Sequence, residues 1–149
     1  MRGRDIDRNS VLKHYEGTGH LARKSLCQEL FESSEIHSDH VAVIADDAHL
    51  TYAQLEQSLC VFTEELRESG LSPGDHVLLQ LPNTAAYVVT LLALMRVGAI
   101  PTLLLPAHRE AEVAALCESL HPVAYIGGRD HLGFDTVAMV EAMGPGELG

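Results

Sequence analysis

Three short runs in this chain, "HVLLQL" (76–81), "IPTLLL" (100–105) and "PVAYIGG" (122–128), have strand character but almost no polar face. A strand with one wet side alternates apolar and polar residues; one that is apolar throughout needs cover on both sides. Two stretches of helical character, "AAYVVTLLALMRVG" and residues 107–120, separate the runs. Strand, helix, strand, helix, strand at this spacing makes two βαβ units, whose strands run parallel. The expectation is an α/β fold: a mostly parallel sheet of 76–81, 100–105 and 122–127, with helices at 52–69, 84–97 and 108–120 on both faces. The run at 100–105 reads as a central strand.

Local punctuation agrees. Thr51 followed by Gln54 fits a capping box, and Leu55, Leu59, Phe62 and Leu66 then share one helix face. Gly70 supplies a left-handed stop, and "SPGD" (72–75) is turn chemistry. Asn83 or Thr84 caps the next helix, which is apolar almost all round and calls for cover on both sides; Gly98 ends it. In 107–120, Glu110 and Glu112 lie near the positive helix end, while Val113, Leu116, Cys117 and Leu120 form the inner face.

Upstream, "SLCQELFESSEIHSDH" reads as a short helix with Leu26, Leu30 and Phe31 on one face, followed by a polar loop. "VAVIA" (41–45) reads as a strand and "DDAHLTY" as a turn with a short second strand, the two pairing as a hairpin. Residues 1–20 are charged and unpatterned and read as an N-terminal extension. Residues 21–142 read as one α/β unit, and 143–149 as a frayed tail.

Composition removes several classes. With 21 acidic residues against 10 basic, the net charge is -11, which opposes binding to nucleic acid or to an anionic membrane. Residues 85–107 are apolar enough to resemble a membrane span, but Arg96, Gly98, Pro101 and Pro106 interrupt them. The first 20 residues contain no apolar core of a signal peptide. Cys27, Cys60 and Cys117 are odd in number and dispersed, as expected of reduced thiols in a cytoplasmic protein.

Ligands of parallel sheets gather at the carboxyl ends of the strands. The places to look are therefore Pro82-Asn83, Pro106-Ala107-His108-Arg109 and Gly127-Gly128-Arg129. His108-Arg109 is the one cationic pair at a strand end. It reads either as an anion site or as the solvent-facing start of the next helix. No GxGxxG or GxxxxGK[ST] follows a strand, and no GxSxG or HExxH occurs. His76 reads as an exposed turn residue and Asp46-Asp47 as a turn pair that nothing nearby completes into a metal site. The two lysines, Lys13 and Lys24, both precede the α/β core.

"LTYAQLEQ" (50–57) resembles the first core motif of the adenylate-forming superfamily, which includes acyl-CoA synthetases, peptide-synthetase adenylation domains and luciferases. Residues 70–110 resemble the segment that follows it, with the second core motif. "LQLPN" and "LLLPAHR" look most like the aryl-acid AMP ligases that activate 2,3-dihydroxybenzoate or salicylate for siderophore assembly. "HPVAYIGGRDHLGFD" and "YEGTGHLARKSLCQELFESS" extend the likeness over about residues 15–140.

The resemblance implies a family reaction: an aryl acid and ATP, with Mg, give aryl-AMP, and the aryl group then passes to a carrier-protein thiol. It assigns no catalytic residue here and no metal ligand. Asn83, His108 and Arg109 are left as cofactor-binding candidates. The family's Ser/Thr/Gly-rich phosphate loop, its adenine- and ribose-binding residues and its catalytic lysine are not among these residues. The chain thus reads as the first portion of such a ligase, truncated or one piece of a split enzyme. Alone it is expected to bind no cofactor and form no acyl-adenylate. Its expected partners are a complementary C-terminal fragment, or a second copy held through exposed apolar surface. The competing reading is a non-catalytic remnant or protein-interaction module.

Overall fold

The computed structural model describes residues 7–19, 24–128, 135 and 137–138. The elements are α1 (Arg8–Gly17), α2 (Leu26–Ile36), β1 (Val41–Ile44), β2 (His49–Thr51), α3 (Tyr52–Glu68), β3 (His76–Gln80), α4 (Ala85–Val97), β4 (Ile100–Leu103), α5 (Glu110–Leu120) and β5 (Ala124–Gly127). The expected α/β architecture is present. A three-stranded parallel sheet has the order β4-β3-β5, with His76 opposite Ile100 and Gln80 opposite Gly127. β1 and β2 form the expected antiparallel hairpin.

Strand order departs from expectation. β3, not β4, is central, and β4 lies at the edge of the three-stranded sheet with Ile100 46% and Leu103 51% exposed. The apolar run identified a strand, but its place in the sheet follows from the direction of each crossover. α4 carries the chain from β3 to one flank, and α5 carries it back past β3 to the other. Two crossovers of one hand running in opposite directions put their helices on opposite faces.

Those faces have separate cores. Val77 and Leu79 pack with Leu55, Leu59, Ala93 and Leu94 under α3 and α4. Leu78, on the other face of the same strand, packs with Leu104, Val113 and Cys117 under α5. The inner face of α5 is as anticipated, with Leu116 and Leu120 partly buried beside it. α4 is covered unevenly: Leu92, Ala93 and Leu94 are buried, while Ala86 and Met95 reach solvent.

Helix ends follow local chemistry. The Thr51 hydroxyl accepts from the Gln54 amide at 3.2 Å and the Gln54 side chain accepts from the Thr51 amide at 2.9 Å, completing the capping box. Ser25 and Gln28 make a second box at α2. Thr84, not Asn83, caps α4, and Asp47 from the hairpin turn accepts from the Ala85 amide at 3.0 Å. Gly98 ends α4 at φ 92°, where an added Cβ would lie 3.1 Å from Cβ of Pro73. That close approach lets the Gly74 amide bond the Gly98 carbonyl at 2.9 Å, docking the "SPGD" turn on the helix end.

Two local expectations are corrected, and a segment to which the sequence assigned no element forms a helix. Residues 8–17 form a helix, started by the Asp7 carboxylate accepting from the Asn9 amide at 3.1 Å, although the segment is charged and unpatterned. In α2 only Leu30 of the anticipated trio packs on the core; Leu26 and Phe31 are 51% and 47% exposed. His76 is not a turn residue but the half-buried first residue of β3, and its carbonyl accepts from the Val123 amide at 2.9 Å. Among the described residues no helix is long and apolar enough to cross a membrane. The expected tail, 143–149, lies outside the described residues.

Candidate functional site

The carboxyl ends of β3, β4 and β5 meet at one edge of the sheet, and the loops leaving them carry the candidates. After β3 the chain turns through Pro82 and the exposed Asn83 into α4. Asn83 lines a cleft of about 390 Å³ with Ile44, Asp46, Thr84 and Tyr87. Asp47 is spent on the α4 terminus, so the amide end of that helix is already capped.

After β4 the loop 104–109 folds back over the strand ends. The Arg109 guanidinium donates to the carbonyls of Pro106 and His108, both at 2.9 Å, and the Arg109 amide donates to the Glu112 carboxylate at 2.9 Å. The bond to the Arg109 amide holds the Glu112 carboxyl below the usual carboxylate range. Arg109 is therefore the start of α5, its side chain turned onto its own loop. His108 is half-buried, and its Nδ1 is enclosed with no hydrogen-bond partner. Arg129 lies outside the described residues.

Beneath this loop is a polar cluster that the sequence pattern did not single out. Gln80, 2% exposed at the end of the central strand, donates through Nε2 to the carbonyls of Leu105 and His108, both at 2.9 Å. Its Oε1 accepts from the Tyr125 hydroxyl of β5 at 2.6 Å. One side chain thus joins the ends of all three strands. A polar residue inside an apolar strand run was the available signal. Its partners, 25 to 45 residues away, had none.

These residues do not by themselves fit a nucleotide and its metal. No glycine-rich turn leads from β3 or β4 into its helix, and the Arg109 guanidinium is engaged by carbonyls. Among the described residues no group of three His, Cys, Asp or Glu side chains could hold a metal ion.

Residues 30–145 match the AMP-binding enzyme family. The chain is 37% identical to pyochelin synthase PchD of Pseudomonas aeruginosa over 134 residues, covering 90% of this chain and 24% of that protein. It is 39% identical over 104 residues to the salicyl-AMP ligase / salicyl-S-ArCP synthetase of Mycobacterium tuberculosis, covering 66% of this chain and 18% of that one. Among solved structures, Mycobacterium smegmatis MbtA superposes with a TM-score of 0.72 at 37% identity, covering 76% of this chain and 21% of that one. The chain belongs to the AMP-binding enzyme family. It spans a quarter or less of the length of these relatives.

Proposed function

We propose that this chain is the N-terminal portion of an aryl-acid AMP ligase and supplies part of the scaffold, not the chemistry, of adenylation. In the family reaction an aryl carboxylate attacks the α-phosphate of ATP, pyrophosphate leaves, and the aryl group then passes from aryl-AMP to a carrier-protein thiol. The observation that carries the reading is the 37% identity to PchD over 134 residues, a span that includes "LQLPN" and "LLLPAHR" at the carboxyl ends of β3 and β4. On this reading Asn83, His108 and Arg109 face the ligand side of the sheet, and the phosphate loop and lysine come from polypeptide outside these residues.

A developing pentavalent phosphate needs preorganised donors and a cation. Losing one such donor costs on the order of 10²- to 10³-fold in rate, so a chain without the phosphate loop and lysine has no measurable activity. The test is ATP–pyrophosphate exchange with salicylate and 2,3-dihydroxybenzoate. The chain alone stays at the blank, and exchange appears when a complementary C-terminal ligase segment is added. Exchange by the repurified chain alone would overturn the scaffold reading. No exchange with any complementary segment would favour a non-catalytic remnant or interaction module.

A further inference from the structure

We propose that Gln80 is a positioning residue: with Tyr125 as its anchor, its side-chain amide sets where the loop 104–109 stands over the strand ends. The inference rests on the adenylate-forming reading for its consequence, since it is that loop which carries His108 and Arg109 to the ligand side.

The chain leaves the sheet at Leu104, whose amide still bonds the Leu79 carbonyl at 2.9 Å. Beyond that point apolar packing weakens: Leu105 is 63% exposed and Arg109 is exposed. What holds this stretch to the sheet from below is polar. Both amide hydrogens of Gln80 are used on the carbonyls of Leu105 and His108, one at each end of the turn closed by the His108 amide on the Leu105 carbonyl at 3.0 Å. The Tyr125 hydroxyl, bonded to Gln80 Oε1 at 2.6 Å, selects which way the amide faces. A free carboxamide could flip and present its oxygen to two carbonyls; with the hydroxyl in place it cannot do so without losing that bond.

A leucine at this position would suit the strand equally well, but it would take the Gln80 donor from both carbonyls, leaving Leu105 with the His108 amide and His108 with the Arg109 guanidinium. It would also deprive the Tyr125 hydroxyl of its Gln80 acceptor, and so break the tie between β5 and the loop through this side chain. The arrangement therefore favours a single loop position over bare stability of the sheet.

Tyr125→Phe removes the anchor with no change of shape, and Gln80→Leu removes the latch. Amide hydrogen exchange in the full chain reads the loop directly. Exchange of the His108 amide should accelerate several-fold in Tyr125→Phe and by about ten-fold or more in Gln80→Leu. Amides of α4 should stay within about two-fold of wild type in Tyr125→Phe.

In the complemented pyrophosphate-exchange assay, Tyr125→Phe should raise the KM for ATP several-fold with a smaller change in kcat. An unchanged His108 amide in both variants would overturn the proposal. So would acceleration shared equally by α4, or a loosened loop with an unaltered KM. If the complemented wild type shows no activity, it is the adenylate reading that fails. The amide exchange then decides the positioning role alone.

Discussion

Leu78 and Leu79 are neighbours in β3 and both wholly buried, yet they enter cores of different depth. Leu79 meets α3 and α4, where Leu55, Leu59, Ala93 and Leu94 complete a thick apolar layer. Leu78 meets α5, where Leu104, Val113 and Cys117 are the only fully buried partners among the described residues. On that second face Ile100 and Val123, at the start of β4 and just before β5, are 46% and 47% exposed; Leu103, which pairs with Leu79, is 51% exposed on the other face. Among the described residues, the face under α3 and α4 carries the larger buried cluster. The face under α5 carries the smaller one, and its outer loop is held by the polar ties of Gln80.

Paired truncations sharpen the contrast most. Leu79→Ala opens a cavity in a layer walled by two helices, and should cost about 3–4 kcal/mol. Leu78→Ala should cost about 2–3 kcal/mol, because a thinly covered site collapses more readily. Urea unfolding of the two variants measures the difference; equal losses would mean the two cores are equally rigid.

A smaller effect is expected at the turn that closes the thick face. Gly98→Ala should cost about 2 kcal/mol, from the positive φ together with the crowding against Pro73, whereas Gly70→Ala, at φ 96° in open space, should cost about 1 kcal/mol. The same denaturation assay separates them.

Next comes the Arg96–Glu56 pair, which joins α4 to α3 at 2.6 and 2.9 Å with side chains only 17% and 16% exposed. Arg96→Leu leaves Glu56 without that partner and should lower stability by about 1–2 kcal/mol at neutral pH. Double substitution with Glu56→Leu should recover part of the loss. Additive losses would show that the two residues act independently.

These effects also mark what could be read in advance. Continuous apolar runs and their spacing specify parallel strands, and Thr51–Gln54 and Gly98 are local signals read within a few residues. Strand order is not local. Nothing within "IPTLLL" distinguishes an edge from a centre, because both require a strand; the direction of each crossover decides. α1 has no apolar period, and only its Asp7 cap and helical backbone bonds mark it. At the candidate site, His108 and Arg109 were visible as the cationic pair at a strand end, and Arg109 proved to be a helix start tied to its own loop. Gln80 was masked by the strand around it, since its role depends on Tyr125 in another strand.

The smallest expected effect belongs to the thin face. In the folded chain the Arg109 amide keeps the Glu112 carboxyl below its ordinary value, so this contribution is present above the ordinary carboxylate range, about pH 4.3, and disappears as pH falls through the lowered value. Melting temperature against pH for wild type and Glu112→Gln should differ slightly at pH 6 and converge in acid. A difference that grows in acid would reverse the assigned sign.

The two faces are compared most directly by hydrogen exchange of the α4 and α5 amides, first in the chain alone and then with the complementary ligase segment bound. In the chain alone, amides of Val113–Leu120 should exchange at least about ten-fold faster than those of Leu92–Val97, by opening of the α5 side without global unfolding. Binding of the complementary segment should narrow that gap by protecting α5 and β4. Equal protection of both helices in the chain alone, or a gap that binding leaves untouched, would contradict the account of a sheet packed more deeply under α3 and α4 than under α5.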